Sequence, residues 1–175
     1  MKVAAFGSFP RVGEGPENQR LRRGIQQWQA GKIGDADLRS IQEDVTREAI
    51  AIQEKAGVDW PTDGLIRWED GQTYFADRLE GFHRGGLLRY FDTNTYYRQP
   101  EIDGDIRWTK PITVAVFEFA RAQTDRHLRP IVTGPFTLAG LSLDTHYDDP
   151  KRVVDLLPLF MHATRAEVIP GVIAF

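Results

Sequence analysis

Three short turns in this sequence set a glycine beside a hydroxyl or a carboxylate: Gly7-Ser8, Thr62-Asp63-Gly64 and Thr133-Gly134-Pro135. Glycine lets a ligand approach backbone N–H groups, and the neighbouring oxygen can bind a polar substrate. Taken singly, such a turn needs no explanation beyond reversing the chain. Three of them at the ends of short apolar runs favour a ligand site. In barrels and open α/β sheets, function gathers on the loops after the strands' C-terminal ends. Arg89 and Arg98, near Tyr96-Tyr97, offer guanidinium groups to an anion, with a structural ion pair as the competing reading.

Other polar residues point less clearly to chemistry. His83, His127, His146 and His162 lie far apart, without metal-ligand spacing, and read as surface or core histidines. There are no cysteines, which excludes a disulfide framework and a thiolate zinc site within this chain. Glu69-Asp70 and Asp148-Asp149 are neighbours in sequence; adjacent residues on a helix do not face each other, so neither reads as an acid/base dyad. Asp149 before Pro150 reads as a helix cap. Trp28, Trp60, Trp68 and Trp108 read mostly as packing.

The bulk composition bounds the partners. With 41% hydrophobic and 27% charged residues, the 175-residue chain is long and apolar enough for a real core. A net charge of -3, with Lys and Arg scattered, argues against nucleic acid and against a membrane surface. No apolar run approaches the roughly 20 residues of a membrane span. The absence of cysteine is compatible with a cytoplasmic setting.

The elements that must position the three turns alternate. Val3 to Phe6 reads as a buried strand, and 9–16 as a Gly/Pro-rich loop. Residues 17–31 read as a helix carrying Leu21, Ile25 and Trp28. A helix capped by Asp35 or Asp37 carries Leu38, Ile41, Val45, Ala49, Ile52 and Ala56 at spacings of three and four, then stops at Gly57. Val58 to Trp60 is a short strand. Further expectations are a helix over 68–79, a strand over 87–91, a hairpin over 99–108 turning at Asp103-Gly104, and a helix from Pro111 to about Thr124 with Ile112, Val116, Phe119 and Ala120 on one side. A strand over 129–132 follows. The helix starting at Asp149-Pro150 carries Val153, Leu156, Leu157, Phe160 and Met161, is kinked or broken by Pro158 and ends at Pro170-Gly171. The last run, 172–175, looks like a strand. Strands without a polar alternate face favour a parallel sheet covered by helices. Four or five core strands are fewer than the eight of a closed barrel, and a chain ending on a fresh strand is expected to continue.

Phe6-Gly7-Ser8-Phe9-Pro10-Arg11-Val12-Gly13 resembles the opening motif of the cobalamin-independent methionine synthase family. Four further stretches agree in order: residues 56–64 with the second strand and its loop, Asp70 with Tyr74-Phe75, Tyr96-Tyr97-Arg98-Gln99-Pro100, and Thr133-Gly134-Pro135-Phe136-Thr137-Leu138. The similarity covers nearly the whole chain. It implies a TIM-type (β/α)8 barrel of the methionine synthase and uroporphyrinogen decarboxylase-like group, with residues 1–175 forming a single partial domain, the first half or so of the barrel.

The resemblance also implies a function: transfer of a methyl group from 5-methyltetrahydrofolate, usually polyglutamylated, to homocysteine. In the family a zinc ion lowers the thiol's pKa. Gly7 and Ser8 would hold the amino-acid end of homocysteine, Asp63 and Gly64 would line the same pocket, and Arg98, Thr133 and Gly134 would lie on the folate side. The zinc ligands of the family are His, Cys, Glu and Cys, and none is expected here. Leu65 stands where catalytic members carry a Glu for the substrate amino group, and Leu141 where the long enzymes carry a pterin-stacking Trp. The segment 9–13 is closer to the start of the long enzymes' non-catalytic N-terminal barrel, so the resemblance leaves two placements: a relative of that barrel, or the front half of a short synthase. The alternative function is a non-catalytic folate-binding or scaffold module. A decarboxylase of uroporphyrinogen type fits the ordered motifs less well. Open strand edges predict self-association or a missing C-terminal half.

Overall fold

The computed structural model describes residues 1–9 and 19–157. These divide into two compact units, one from the described parts of Met1–Arg67 and Val116–Ile131, the other from Trp68–Ala115 and the described residues after Val132.

The first unit is built on two helices, α1 (Arg20–Gln29) and α2 (Asp35–Lys55). Both stand where the 3.6-residue period places them. The start of α2 is closed differently from expectation. Gly34 is its N-cap, and the carboxylate of Asp37, inside the first turn, accepts from the Gly34 N–H at 3.0 Å. Gly57 follows with φ +84, as a left-handed C′ residue should. Leu21 of α1, Ala49 of α2 and Ile66 form one core cluster, with Phe9, Ile25, Ile41 and Val45 packed on it. Ile50, Ala120 and Leu128 form another, with Phe117 against them. The face α2 buries is rotated from the expected one: Thr46, Ala49, Ile50 and Gln53 are buried, whereas Ile52 is 52% exposed.

Three extended segments lie beside these helices. Asp59 and Trp60 donate to the Val3 carbonyl, and Ala5 donates to that of Trp60. Ala4 and Trp60 form a parallel bridge, so the first two apolar runs are neighbours in the parallel sense, joined through α1 and α2. The pairing is a single bridge and neither run is a full strand. Residues 129–132 are not a strand either: the Arg129 N–H donates to the Pro61 carbonyl at 2.8 Å, but no ladder follows. Glu54 is tied to the Thr124 hydroxyl, and Arg126 to the carbonyls of Val58 and Glu54, which fastens the end of α2 to the segment after α4 (Val114–Arg121).

The second unit departs most from expectation. Its sheet has the order β1-β2-β3, with β1 (Glu80–Arg89) antiparallel to β2 (Tyr96–Arg107), and only the two-residue β3 (Leu143–Asp144) parallel to β2. The expected hairpin over 99–108 is one continuous strand, and the expected strand over 87–91 is the end of β1. The chain reverses at 90–95 instead, where Tyr90 N–H meets the Thr95 carbonyl. Asp103-Gly104 reads as a turn but lies within β2, where the strands approach closely at Gly81: a Cβ on Gly81 (φ +81) would stand 2.6 Å from the Gly104 carbonyl oxygen. The expected helix over 68–79 shrinks to α3 (Thr73–Ala76), because Asp70 accepts from the N–H groups of Gln72 and Thr73 and sets the helix start there.

Trp68 stacks on Tyr74 (centroids 4.9 Å, planes 12° apart), and Phe75 meets both edge-on, giving the unit an aromatic core. Residues 150–157 are helical; Asp149 accepts from the N–H groups of Lys151 and Arg152, the cap the sequence announces. Phe160, Met161, Pro158, Pro170-Gly171, the run 172–175 and His162 lie outside the described residues, as do 10–18. No described helix is long and apolar enough to cross a membrane.

Candidate functional site

In the first unit two of the three glycine turns come together. Gly7 has φ +85, and two residues later the Phe9 N–H donates to the Gly64 carbonyl at 2.8 Å. The 62–65 loop is locked from several sides. The Gly64 N–H donates to the Thr62 hydroxyl at 3.1 Å, and the Leu65 N–H to Asp63 Oδ1 at 3.1 Å. Gly64 and Leu65 both have positive φ, +72 and +53. The left-handed region suits Gly64 but is costly for a leucine. Buried Gln53 holds the loop from α2: its amide donates to the carbonyls of Ala49 and Thr62, and its Oε1 accepts from the Thr62 N–H.

Asp63 is half-buried as a residue, but its carboxyl group is packed inside. Burial pushes its pKa above the ordinary 3.8; the Leu65 N–H and the Arg67 charge pull the other way and are outweighed. A carboxyl of that kind suits hydrogen bonding to a polar ligand or giving up a proton above the usual carboxylate range. Ser8 is exposed, next to Gly7 on the first loop. Gln53 was not a sequence-level candidate. Its signal was present, a polar side chain four residues after Ala49 on the helix's apolar side.

In the second unit the remaining candidates share one turn. The Arg98 backbone N–H donates to Asp70 Oδ2 at 3.3 Å, and its Nε to Glu69 Oε1 at 3.2 Å. The Thr133 hydroxyl donates to the Gly71 carbonyl at 2.7 Å. Gly134 is the N-cap of α5 (Pro135–Gly140), with φ -67, so it has no left-handed role there. Glu69 and Asp70 are not a facing pair: Glu69 bridges Arg84 (2.9 Å) and Arg98, while Asp70 accepts from the Gln72 and Thr73 N–H groups at the start of α3. Arg89 is spent on the hairpin loop, donating to the carbonyls of Thr93 and Asp92. For Arg98 the ion pair exists, as one of the two readings required, and it leaves the terminal guanidinium nitrogens on a half-exposed side chain.

His83 lies between Glu101 (3.1 Å) and Asp103 (3.2 Å) through its two ring nitrogens, which point apart. His146 pairs with Asp105, and His127 meets Trp60 edge-on at 6.1 Å. Among the described residues no group of three or more His, Asp or Glu is arranged to hold a metal ion.

A family model described as the cobalamin-independent synthase catalytic domain matches residues 1–168. This chain belongs to that family. Of the two placements the sequence leaves open, the match is with the catalytic domain. A methionine synthase of Sulfurisphaera tokodaii is 37% identical over 152 residues, covering 86% of this chain and 43% of that protein. One of Saccharolobus solfataricus is 35% identical over 156 residues, covering 88% and 45%. The chain thus spans less than half the length of these curated relatives. Two solved structures share the fold. One is a B12-independent methionine synthase from Shewanella sp. W3-18-1 in complex with selenomethionine (TM-score 0.69, 22% identity, covering 78% of this chain and 40% of that one). The other is a putative vitamin-B12 independent methionine synthase from Listeria monocytogenes (TM-score 0.69, 22% identity, 95% and 49%).

Proposed function

We propose that this chain is the front half of a (β/α)8 barrel, one partial domain over residues 1–175, that supplies substrate loops for methyl transfer from 5-methyltetrahydrofolate to homocysteine. The observation that carries this is the catalytic-domain match over residues 1–168, which takes in all three glycine turns. Gly7, Ser8, Asp63 and Gly64 would hold homocysteine, and the Phe9–Gly64 bond supports placing them on one pocket wall. Arg98, Thr133 and Gly134 would take the folate. The Shewanella structure, described in complex with selenomethionine, is in keeping with an amino-acid ligand. Zinc would lower the pKa of the homocysteine thiol in the assembled enzyme. The described residues of this chain do not fit it, having no cysteine and no metal-ligand group, so its ligands would come from elsewhere. Their own contribution is binding and orientation, which can supply a large share of a two-substrate barrier. The setting would be cytoplasmic, the partners small molecules, and the barrel would be completed by a C-terminal half or by self-association.

The test is complementation. The chain alone should form no methionine from 5-methyltetrahydropteroyltriglutamate and homocysteine. Mixed with the C-terminal part of the Sulfurisphaera tokodaii relative and zinc, it should. Turnover by the chain alone with stoichiometric zinc would overturn the split of labour. Leu65 favours a second reading, a folate-binding module without chemistry, since leucine cannot pair with a substrate ammonium. Folate binding by calorimetry, with no turnover in any mixture, would select it.

A further inference from the structure

Strand β1 ends its sheet: the order is β1-β2-β3, and among the described residues no strand lies on its far side. In an antiparallel pair, alternate residues turn their N–H and C=O groups to the partner strand, and the residues between turn them away. The groups on β2 fix which is which. The Ile102 carbonyl, opposite Phe82, accepts from the Thr145 N–H at 3.0 Å on the β3 side. Pro100, opposite Arg84, has no N–H to give. The Arg98 N–H, opposite Leu87, goes to Asp70 Oδ2 at 3.3 Å. The Tyr90 N–H meets the Thr95 carbonyl at 2.7 Å, which by alternation leaves Arg89 facing out. Phe82, Arg84, Leu87 and Arg89 therefore hold their backbone groups outward, and nothing outside β2 takes them up among the described residues. We infer that this edge pairs with the same edge of a second copy of the chain, antiparallel, around Gly85-Gly86.

The edge is symmetric in its spacing. Gly85 and Gly86 together oppose one residue of β2, which is the register shift between Arg84 and Leu87. Outward residues stand at 84 and 82 on one side of it, and at 87 and 89 on the other. Turned end over end, a second copy sets its Leu87 against Arg84 and its Arg89 against Phe82, and each pair can exchange two N–H···O=C bonds. The bulge also selects the partner. It spoils the edge for a straight strand, but here it meets its own copy, with two glycines from each strand at the axis. Charge agrees with this pairing, because the exposed Glu80 end of each strand comes to the Arg89 end of the other. Arg89 donates to the carbonyls of Thr93 and Asp92, so those bonds leave its charge unneutralised. Arg84, near the axis, is already matched by Asp77 and Glu69, so its two copies do not meet as bare cations. No proline or lysine in Glu80–Arg89 guards the edge. Leu87 and Leu88, 59% and 41% exposed, flank the seam on opposite faces. The pairing is independent of the methyl-transfer reading, since it uses none of the glycine turns.

Sedimentation velocity and amide exchange on the full chain test this. The mass should rise from 19.9 kDa to about twice that between roughly 1 and 100 μM. Over the same range, exchange at Phe82, Arg84, Leu87 and Arg89 should slow by about tenfold or more, while His83 and Leu88, whose groups face β2, should not change. Leu87→Pro removes an outward N–H that β2 does not use, so it should hold the mass at 19.9 kDa with unchanged circular dichroism. A monomer at every concentration would overturn the inference. So would a dimer whose four amides stay fast, because its seam would lie elsewhere. A monomer whose four amides are already slow would overturn it too, since its own chain would then cover the edge. If Leu87→Pro fails to fold, the exchange pattern decides by itself.

Discussion

The Phe9 N–H and the Gly64 carbonyl are hydrogen-bonded at 2.8 Å, joining two loops 55 positions apart. The joint is tight on the side-chain side too. A Cβ on Gly64 would stand 2.8 Å from the Phe9 Cβ and 3.3 Å from that of Ala49. Gly64→Ala should therefore cost about 2–5 kcal/mol, adding a left-handed backbone penalty of roughly 1–2 to overpacking of about 1–3. Urea unfolding measures it. A loss under about 1 kcal/mol would mean that the two loops are not packed as described.

Gln53 is the next dependency of the same loop. Its side chain satisfies both the N–H and the carbonyl of Thr62 in a buried setting. Gln53→Leu keeps the volume and leaves both backbone groups unpaired, at about 1–3 kcal/mol each before relaxation. We expect a total loss of about 2–4 kcal/mol, with faster amide exchange at Thr62 and Gly64. Unchanged exchange at both would show that Gln53 does not hold the loop.

The legibility of the site followed the kind of interaction involved. Helices α1 and α2 were readable because their apolar period is long, and the Asp149 cap because Asp-Pro is a local signal. The turns Gly7-Ser8 and Asp63-Gly64 were readable as turns, but their meeting depends on a bond between distant backbone groups, which leaves no mark on composition. The β1–β2 pairing was misread for a related reason. Asp103-Gly104 has the residues of a turn, yet it lies inside a continuous strand, beside Gly81 of the other strand, which has no room for a Cβ against the Gly104 and Asp105 carbonyls. Helix α3 is shorter than its expected span because Asp70, inside that span, accepts from the Thr73 N–H and sets the start. In each case a long-range partner decided between local options.

The face of α2 gives a direct comparison of two neighbouring isoleucines. Ile50 is 1% exposed, in a cluster with Ala120 and Leu128, whereas Ile52 is 52% exposed. Ile50→Ala should cost about 2–5 kcal/mol, and Ile52→Ala less than about 1. Equal losses at the two positions, measured by denaturant midpoints, would restore the stripe expected from spacing alone.

Asp63 links the site to pH. Its folded pKa is raised above 3.8, chiefly by burial, with the Leu65 N–H and Arg67 opposing. The folded chain therefore holds this proton more tightly than the unfolded chain does. The resulting stabilisation is complete below about pH 3.8 and is lost as pH rises through the folded pKa. Above that point the folded state carries a charged carboxyl in a setting that disfavours it. Asparagine cannot ionise, and its Oδ1 can still accept from the Leu65 N–H. Asp63→Asn should thus match or trail the unaltered chain at pH 4, overtake it as pH rises, and hold a constant advantage once Asp63 is fully ionised. Thermal midpoints from pH 4 to 8 follow this directly. A variant less stable by the same amount at every pH would mean that Arg67 and the backbone donor outweigh burial. If the advantage is found, the natural aspartate is retained at a cost in stability, as expected of a residue kept for its ligand rather than for the fold.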